Sequence, residues 1–138
     1  MSQRGFSLIE LLVVLVIIGL LVALVGPDLL KNIGPAKQKA AKAQIELFSV
    51  ALDNYKLHTG EYPTTEQGLE ALIKQPAGVK NWKGPYLKKK VIPKDPWGND
   101  YIYRCPGEHN KDSYDLYSYG KDGQKGGEGE NKDITNWE

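Results

Sequence analysis

The chain is 138 residues long, sets 18 lysines and arginines against 17 aspartates and glutamates, and has a formal net charge of +1. A near-neutral balance without a dense basic stripe excludes the electrostatic footprint of a nucleic-acid binder, and a single cysteine, Cys105, excludes an intramolecular disulfide. The length has room for one apolar anchor and one small domain of about 110 residues with a modest core.

The first element is the run at residues 5–25, GFSLIELLVVLVIIGLLVALV, in which only Ser7 and Glu10 are polar after Gly5. A helix of about 20 residues is roughly 30 Å long and crosses the hydrocarbon core of a bilayer. Glu10 is its sole charge. An ionised carboxylate there costs about 2.5–3.5 kcal/mol on insertion scales, so something must offset it. By hydropathy alone the run is a signal peptide or a single-span anchor. A secretory cut before Pro27 has Leu24 and Gly26 where small-x-small residues are expected. The short leader Met1 to Gly5 with Arg4, then Gly5-Phe6-Ser7-Leu8-Ile9-Glu10 and an unbroken apolar run, resembles the class III signal of type IV pilins and pseudopilins. That resemblance implies cleavage after Gly5 by a prepilin peptidase, methylation of the new amine at Phe6, and retention of the helix. Lys31, Lys37, Lys39 and Lys42 follow the span, and the positive-inside rule leans towards a cytoplasmic placement for them. The resemblance implies the reverse, leader inside and domain outside, and the motif is the more specific signal.

Gly26-Pro27 interrupts the run and predicts a kink or local weakening, with Gly19 adding flexibility upstream. The pilin-like reading adds that residues 19–27 unwind as subunits pack. Beyond Gly34-Pro35, the residues Ala41, Ile45, Phe48, Leu52 and Tyr55 recur at steps of three and four, with Lys37, Lys42, Glu46 and Asp53 off that face. This pattern predicts a helix over 35–57, continuing the anchor into one long spine whose stripe is core. His58-Thr59-Gly60-Glu61-Tyr62-Pro63 ends it. Thr64 with Gln67 has the spacing of a capping box and predicts a second helix over 65–74. His58 has no ligand partner at suitable spacing and reads as a surface or capping histidine.

Residues 75–98 are rich in turn formers, punctuated by Trp82, Tyr86 and Trp97, aromatics that pin such stretches to a core. Asp95-Pro96-Trp97-Gly98-Asn99 reads as a tight turn. Lys88-Lys89-Lys90 reads as a solvated run, with an anionic surface as the alternative partner. Residues 101–104 and 114–119 alternate and predict an antiparallel pair, with a third strand expected between Trp82 and Ile92. Cys105 is expected to be a packed or half-buried thiol.

Residues 120–133, GKDGQKGGEGENKD, hold five glycines and no apolar side chain. Such backbone is costly to order, yet Asp122, Glu128, Glu130, Asn131 and Asp133 supply oxygens of the kind hard cations take. The EF-hand comparison is partial: Gly127 and Asp133 fall where that motif wants them after Asp122, but Gln124 and Gly126 are poor ligands. The residues alone leave both a solvated tail and a cation loop open.

The strings HTGEYPTTEQGLEAL, DPWGNDY and YDLYSYGKDG, followed by GGEG and DITNW, resemble the major pseudopilin family of type II secretion systems from Gly5 to Trp137. The resemblance implies an α+β, type IV pilin-like fold: a long N-terminal helix, half hydrophobic and half amphipathic, packed on a small antiparallel sheet with a C-terminal calcium-binding loop. It implies a cleaved leader at 1–5, a transmembrane and filament-core helix at 6–30, and a periplasmic domain at 31–138. Calcium is expected on the carbonyl of Tyr119 and on oxygens of Asp122, Asp133, Asn131 and Glu130, in that order of preference for the side chains. Phe6, Glu10 and Pro27 are the expected assembly residues, the Glu10 carboxylate pairing with the amine of a neighbour's Phe6. The implied function is that of a structural subunit polymerising in the periplasm to export folded proteins. The implied partners are further copies, minor pseudopilins, the prepilin peptidase, the inner-membrane assembly platform, the outer-membrane secretin and the exoproteins. A type IV pilin and a minor pseudopilin are the alternatives. A membrane-tethered hydrolase is disfavoured, because no nucleophile, base and orienting group stand at the spacings such chemistry needs.

Overall fold

Ile45, Phe48, Leu52 and Tyr55 are fully buried, and the fold is built against them. The structure, a computed structural model, describes residues 5–138 apart from the side chains of 27–30 and 32. One helix, α1, runs from Leu8 to Thr59. It passes through Gly26-Pro27 and Gly34-Pro35 unbroken, so neither proline ends it. It stops where the Gly60 N–H closes onto the Lys56 carbonyl at 2.8 Å and the Thr59 hydroxyl donates to the Tyr55 carbonyl at 2.8 Å. The chain divides into two compact units, Met1–Pro35 and Ala36–Glu138. In the first, the described apolar residues of α1 are exposed throughout.

The second unit holds the core. Phe48, Leu52 and Tyr55 pack with Leu69, Leu72, Tyr101, Tyr103, Tyr114 and Leu116. Each large apolar side chain so buried contributes about 1.5–3 kcal/mol before entropy is counted. Phe48 meets the Tyr101 ring edge-on at 5.2 Å, and Tyr62 meets Tyr114 at 4.9 Å. Three short strands, β1 (Ile102–Arg104), β2 (Asp115–Ser118) and β3 (Ile134–Thr135), form an antiparallel sheet in the order β1-β2-β3. Tyr103 pairs with Leu116 and Ser118 with Ile134. The stripe and the first two strands are as the sequence pattern predicts.

Two expectations fail. The helix expected over 65–74 is a single turn followed by a 3-10 helix, Leu69–Leu72. The capping pair does form, Thr64 N–H to Gln67 Oε1 at 2.9 Å and Gln67 N–H to Thr64 Oγ1 at 3.1 Å. Gly68 then turns left-handed at φ 61°, where no α-helix continues. The strand expected between Trp82 and Ile92 is also missing; that stretch is irregular chain. Its aromatics tie it down individually: Trp82 donates to the Ala71 carbonyl at 2.8 Å, and the Tyr86 N–H reaches the Leu72 carbonyl at 2.7 Å. The third strand is β3 instead.

Among the described residues two carboxylates are buried, Asp95 and Asp115, and both organise loops. The loop between β1 and β2 winds round Asp115, whose oxygens accept the N–H groups of Glu108 at 2.8 Å, His109 at 2.9 Å and Asn110 at 2.9 Å. Asp95 opens the predicted tight turn and accepts from Trp97 N–H at 3.1 Å, Asn99 N–H at 2.8 Å and the Ser118 hydroxyl at 2.7 Å. Cys105 is half-buried, its thiol 3.5 Å from the Ser113 carbonyl. His58 is half-buried and hydrogen-bonds through Nδ1 to the Tyr86 hydroxyl at 2.9 Å, so it joins helix to loop and caps nothing.

Burial pushes the Asp115 carboxyl upward, but the donated N–H groups of His109 and Asn110, the His109 ring and the Glu108 N–H outweigh it and hold it below its ordinary 3.8. A depressed carboxyl stabilises the fold above its unfolded pKa, and that contribution is lost as pH falls through the folded value. Asp115→Ala strands three backbone donors and is expected to cost about 3 kcal/mol at neutral pH. In chemical denaturation, the difference from the unsubstituted protein should shrink as pH drops below about 4. A difference that stays constant down to pH 2 contradicts the assignment.

Candidate functional site

The N-terminal site begins at the start of α1. Ser7 precedes the helix, and its hydroxyl accepts the Glu10 N–H at 3.2 Å while its carbonyl accepts the Leu11 N–H at 3.1 Å. Ser7 is thus the N-cap and Glu10 occupies the third helical position, the Ser-x-x-Glu arrangement of a capping box. A negative charge in the first turn also complements the helix dipole. This local role was legible in the spacing of Ser7 and Glu10 and was missed. It gives Glu10 a reason to stand there, yet only part of what an acid in an apolar helix requires. Among the described residues Glu10 has no ion-pair partner, and its side chain is exposed. Gly5 and Phe6 are exposed beside it. The leader residues 1–4 and the side chain of Pro27 lie outside the described residues.

The C-terminal loop is held at both ends. Ser118, which donates to Asp95, accepts the Gly120 N–H at 3.1 Å, and the Asn99 amide donates to the Gly120 carbonyl at 3.3 Å. The Lys121 N–H reaches across to the Glu130 carbonyl at 2.9 Å, closing the loop on itself. Gly120 sits at φ 78°, and a Cβ there would lie 2.7 Å from the Glu130 carbonyl oxygen and 2.8 Å from that of Lys132. Only glycine allows that crossing. Past it lies a short 3-10 turn, Gly129–Asn131. The helix side chains Gln38 and Lys42 donate to the carbonyls of Gly129 and Thr135.

The expected cation ligands share this loop but face different partners. Asp122 accepts the Gln124 N–H at 3.1 Å within its own turn. Asp133 accepts the Gly126 N–H on both oxygens, at 3.1 and 3.0 Å. Glu130 lies 3.5 Å from the Lys121 ammonium. Asn131 is exposed and Tyr119 half-buried. No three acidic, histidine or cysteine side chains converge among the described residues. The donors suit a hard cation by chemistry, all oxygen and partly anionic, and Asp122 and Asp133 each keep carboxylate lone pairs beyond those their N–H partners use.

With no disulfide available, the last residues are pinned by hydrogen bonds and stacking. Asn136 accepts the Leu116 N–H at 2.9 Å and donates to the Tyr114 carbonyl at 3.1 Å. Trp137 stacks on His109, ring centroids 3.9 Å apart and 4° from parallel, while the same imidazole lies 3.2 Å from Asp115. Nothing in the sequence marks these contacts, which join residues far apart in the chain.

Comparison with known proteins agrees with this architecture. Residues 28–137 match the family model for type II secretion system protein G, and residues 1–26 match the prokaryotic N-terminal methylation motif. Type II secretion system core protein G of Pseudomonas aeruginosa is 51% identical over 99% of this chain and 96% of its own length. The core protein G of Vibrio cholerae is 49% identical over 99% of this chain and 92% of its own. The crystal structure of the major pseudopilin from the type 2 secretion system of enterohaemorrhagic Escherichia coli superposes with a TM-score of 0.63 at 34% identity, over 80% of this chain and 95% of that one. A signal motif on an exposed apolar helix, a small antiparallel sheet on the amphipathic remainder, and near-full-length relatives agree: the chain belongs to the type II secretion system protein G family.

Proposed function

We propose that this chain is the major structural subunit of a type II secretion pseudopilus. It is held in the inner membrane by residues 6–30 with the domain at 31–138 in the periplasm, cut after Gly5, methylated at Phe6, and polymerised to promote export of folded proteins. It acts as a structural subunit and not as an enzyme. Its partners in this reading are further copies, minor pseudopilins, the prepilin peptidase, the assembly platform, the secretin and the exoproteins. The observation that carries the reading is the helix Leu8–Gly26, 19 residues of mean hydropathy 3.3 with no part buried in the chain. An apolar rod of that length needs either lipid or other rods around it. Glu10 turns generic adhesion into a register: inside a bundle of such rods its carboxylate is costly unless a neighbour's Phe6 amine meets it. Head-to-tail contacts of this kind do not close, so a filament grows.

We also propose that the C-terminal loop takes calcium, with Asp122 and Asp133 as carboxylate ligands and Asn131, Glu130 and the Tyr119 carbonyl as the further donors. The support is the all-oxygen donor set within a loop whose ends are already fixed at Gly120 and Glu130. Bound calcium supplies the positive charge that draws the loop carboxylates together.

Glu10→Ala is expected to abolish filaments and secretion while leaving the protein in the membrane; both persisting at normal levels contradicts the register role. For the globular unit, calcium at about a hundredfold over its Kd should add about 2.7 kcal/mol and raise Tm by roughly 10 °C. Asp122→Ala should remove that shift. A flat calcium titration sinks the metal site and leaves the filament reading untouched.

A further inference from the structure

The turns of α1 just beyond Pro35 have little apolar hold on the domain. Ala36, Lys39, Ala40 and Ala43 are exposed, and the first apolar side chain buried along α1, among the described residues, is Ala41. Pro35 brings no N–H to the helix and Gly34 lowers its propensity, so the stretch is weak by its own residues. Two polar side chains supply the missing attachment. Gln38 donates to the Gly129 carbonyl, and Lys42 donates to the carbonyls of Thr135 and, at 3.0 Å, Glu138. Donor and acceptor lie 91, 93 and 96 residues apart in the chain, so these bonds exist only while the C-terminal segment is folded back on the helix.

The positions of the acceptors are informative. Gly129 opens the short 3-10 turn and Thr135 lies in β3. Between them is the segment 130–133, which carries Glu130, Asn131 and Asp133, three of the donors proposed for calcium. The helix therefore grips that segment on both flanks, through backbone carbonyls that are outside the proposed donor set. Lys42 has no carboxylate partner among the described residues, and its ammonium is committed to carbonyls. A charged donor makes the stronger kind of hydrogen bond. Ordering a loop this rich in glycine is costly, so a ligand that orders 130–133 also fixes the carbonyls that Gln38 and Lys42 need. Such coupling runs equally in both directions.

We propose that Gln38 and Lys42 form a strap through which calcium in the C-terminal loop holds residues 36–44 of α1 helical and docked. This rests on the calcium reading and adds the helix residues that sense the state of the loop. The sensed stretch begins where the second compact unit begins, at Ala36. Hydrogen exchange and calorimetric calcium titration of the full chain in detergent micelles test it. In the unsubstituted chain, calcium should slow exchange of the 38–44 amides about tenfold. Lys42→Met should bind calcium about tenfold more weakly, and saturating calcium should no longer slow those amides. Charge alone predicts the opposite sign, because removing a cation near a calcium site strengthens binding. Lys42→Arg keeps charged donors and should restore both responses. Gln38→Leu tests the other grip without a change of charge, should act in the same direction, and serves where Lys42→Met fails to fold. Calcium that binds and still slows the 38–44 amides in both variants overturns the strap and leaves the metal site standing. No calcium binding to the unsubstituted chain sinks the metal site, and the strap with it.

Discussion

The governing constraint is an apolar helix with a single acid near its tip, exposed among the described residues. Among the described residues none of the side chains of α1 from Leu8 to Gly26 is buried, and burial of such surface in lipid or against other helices is strongly favoured. Glu10 makes the two environments unequal. In lipid it is a lone charge. Among neighbouring copies, in the filament proposed above, it gains the amine of a neighbour's Phe6. The energy of such a pairing rises as the surroundings dry out, so in the proposed filament the residue that burdens the anchored state favours the assembled one. The capping hydrogen bond from the Glu10 N–H to Ser7 fixes where on the helix that charge stands.

The second compact unit, from Ala36 onward, is organised by the other half of α1. The buried stripe from Ala41 to Tyr55 commits one face of α1 to the core, and the sheet, the aromatic loop and the C-terminus are anchored to it. Asp95 and Asp115 are the hubs. One carboxylate gathers a turn and, through Ser118, the start of the glycine-rich loop; the other gathers the β1–β2 loop and, through His109, the C-terminal Trp137. Buried carboxylates each gathering several N–H or O–H donors do for this domain what a disulfide does elsewhere, without a redox requirement.

The legible parts of the sequence were those with a period or a local motif. The core stripe, the alternation through Tyr103 and Leu116, and the Asp95 turn all state their structure within a few residues. What escaped depended on non-local partners. β3 is two residues long and exists because the chain returns to Ser118 after the glycine loop. The aromatic stretch between Trp82 and Ile92 was expected to hold a strand, but Pro85 denies it an N–H donor, and Trp82 and Tyr86 are satisfied by the carbonyls of Ala71 and Leu72. At Thr64 the start signal for a helix was read correctly and the stop at Gly68 was not. At the C-terminal loop the oxygen donors were readable by residue type; their present N–H partners were not, since those follow from the backbone path.

Where Glu10 lies in the assembled polymer decides whether its carboxylate pairs with a neighbour's amine. A side-chain-resolved structure of filaments from the native membrane should place its carboxylate within hydrogen-bonding reach of the amine of a neighbouring Phe6, shielded from water by apolar helices. A Glu10 side chain facing solvent, or an uncut leader still attached to Phe6, contradicts it.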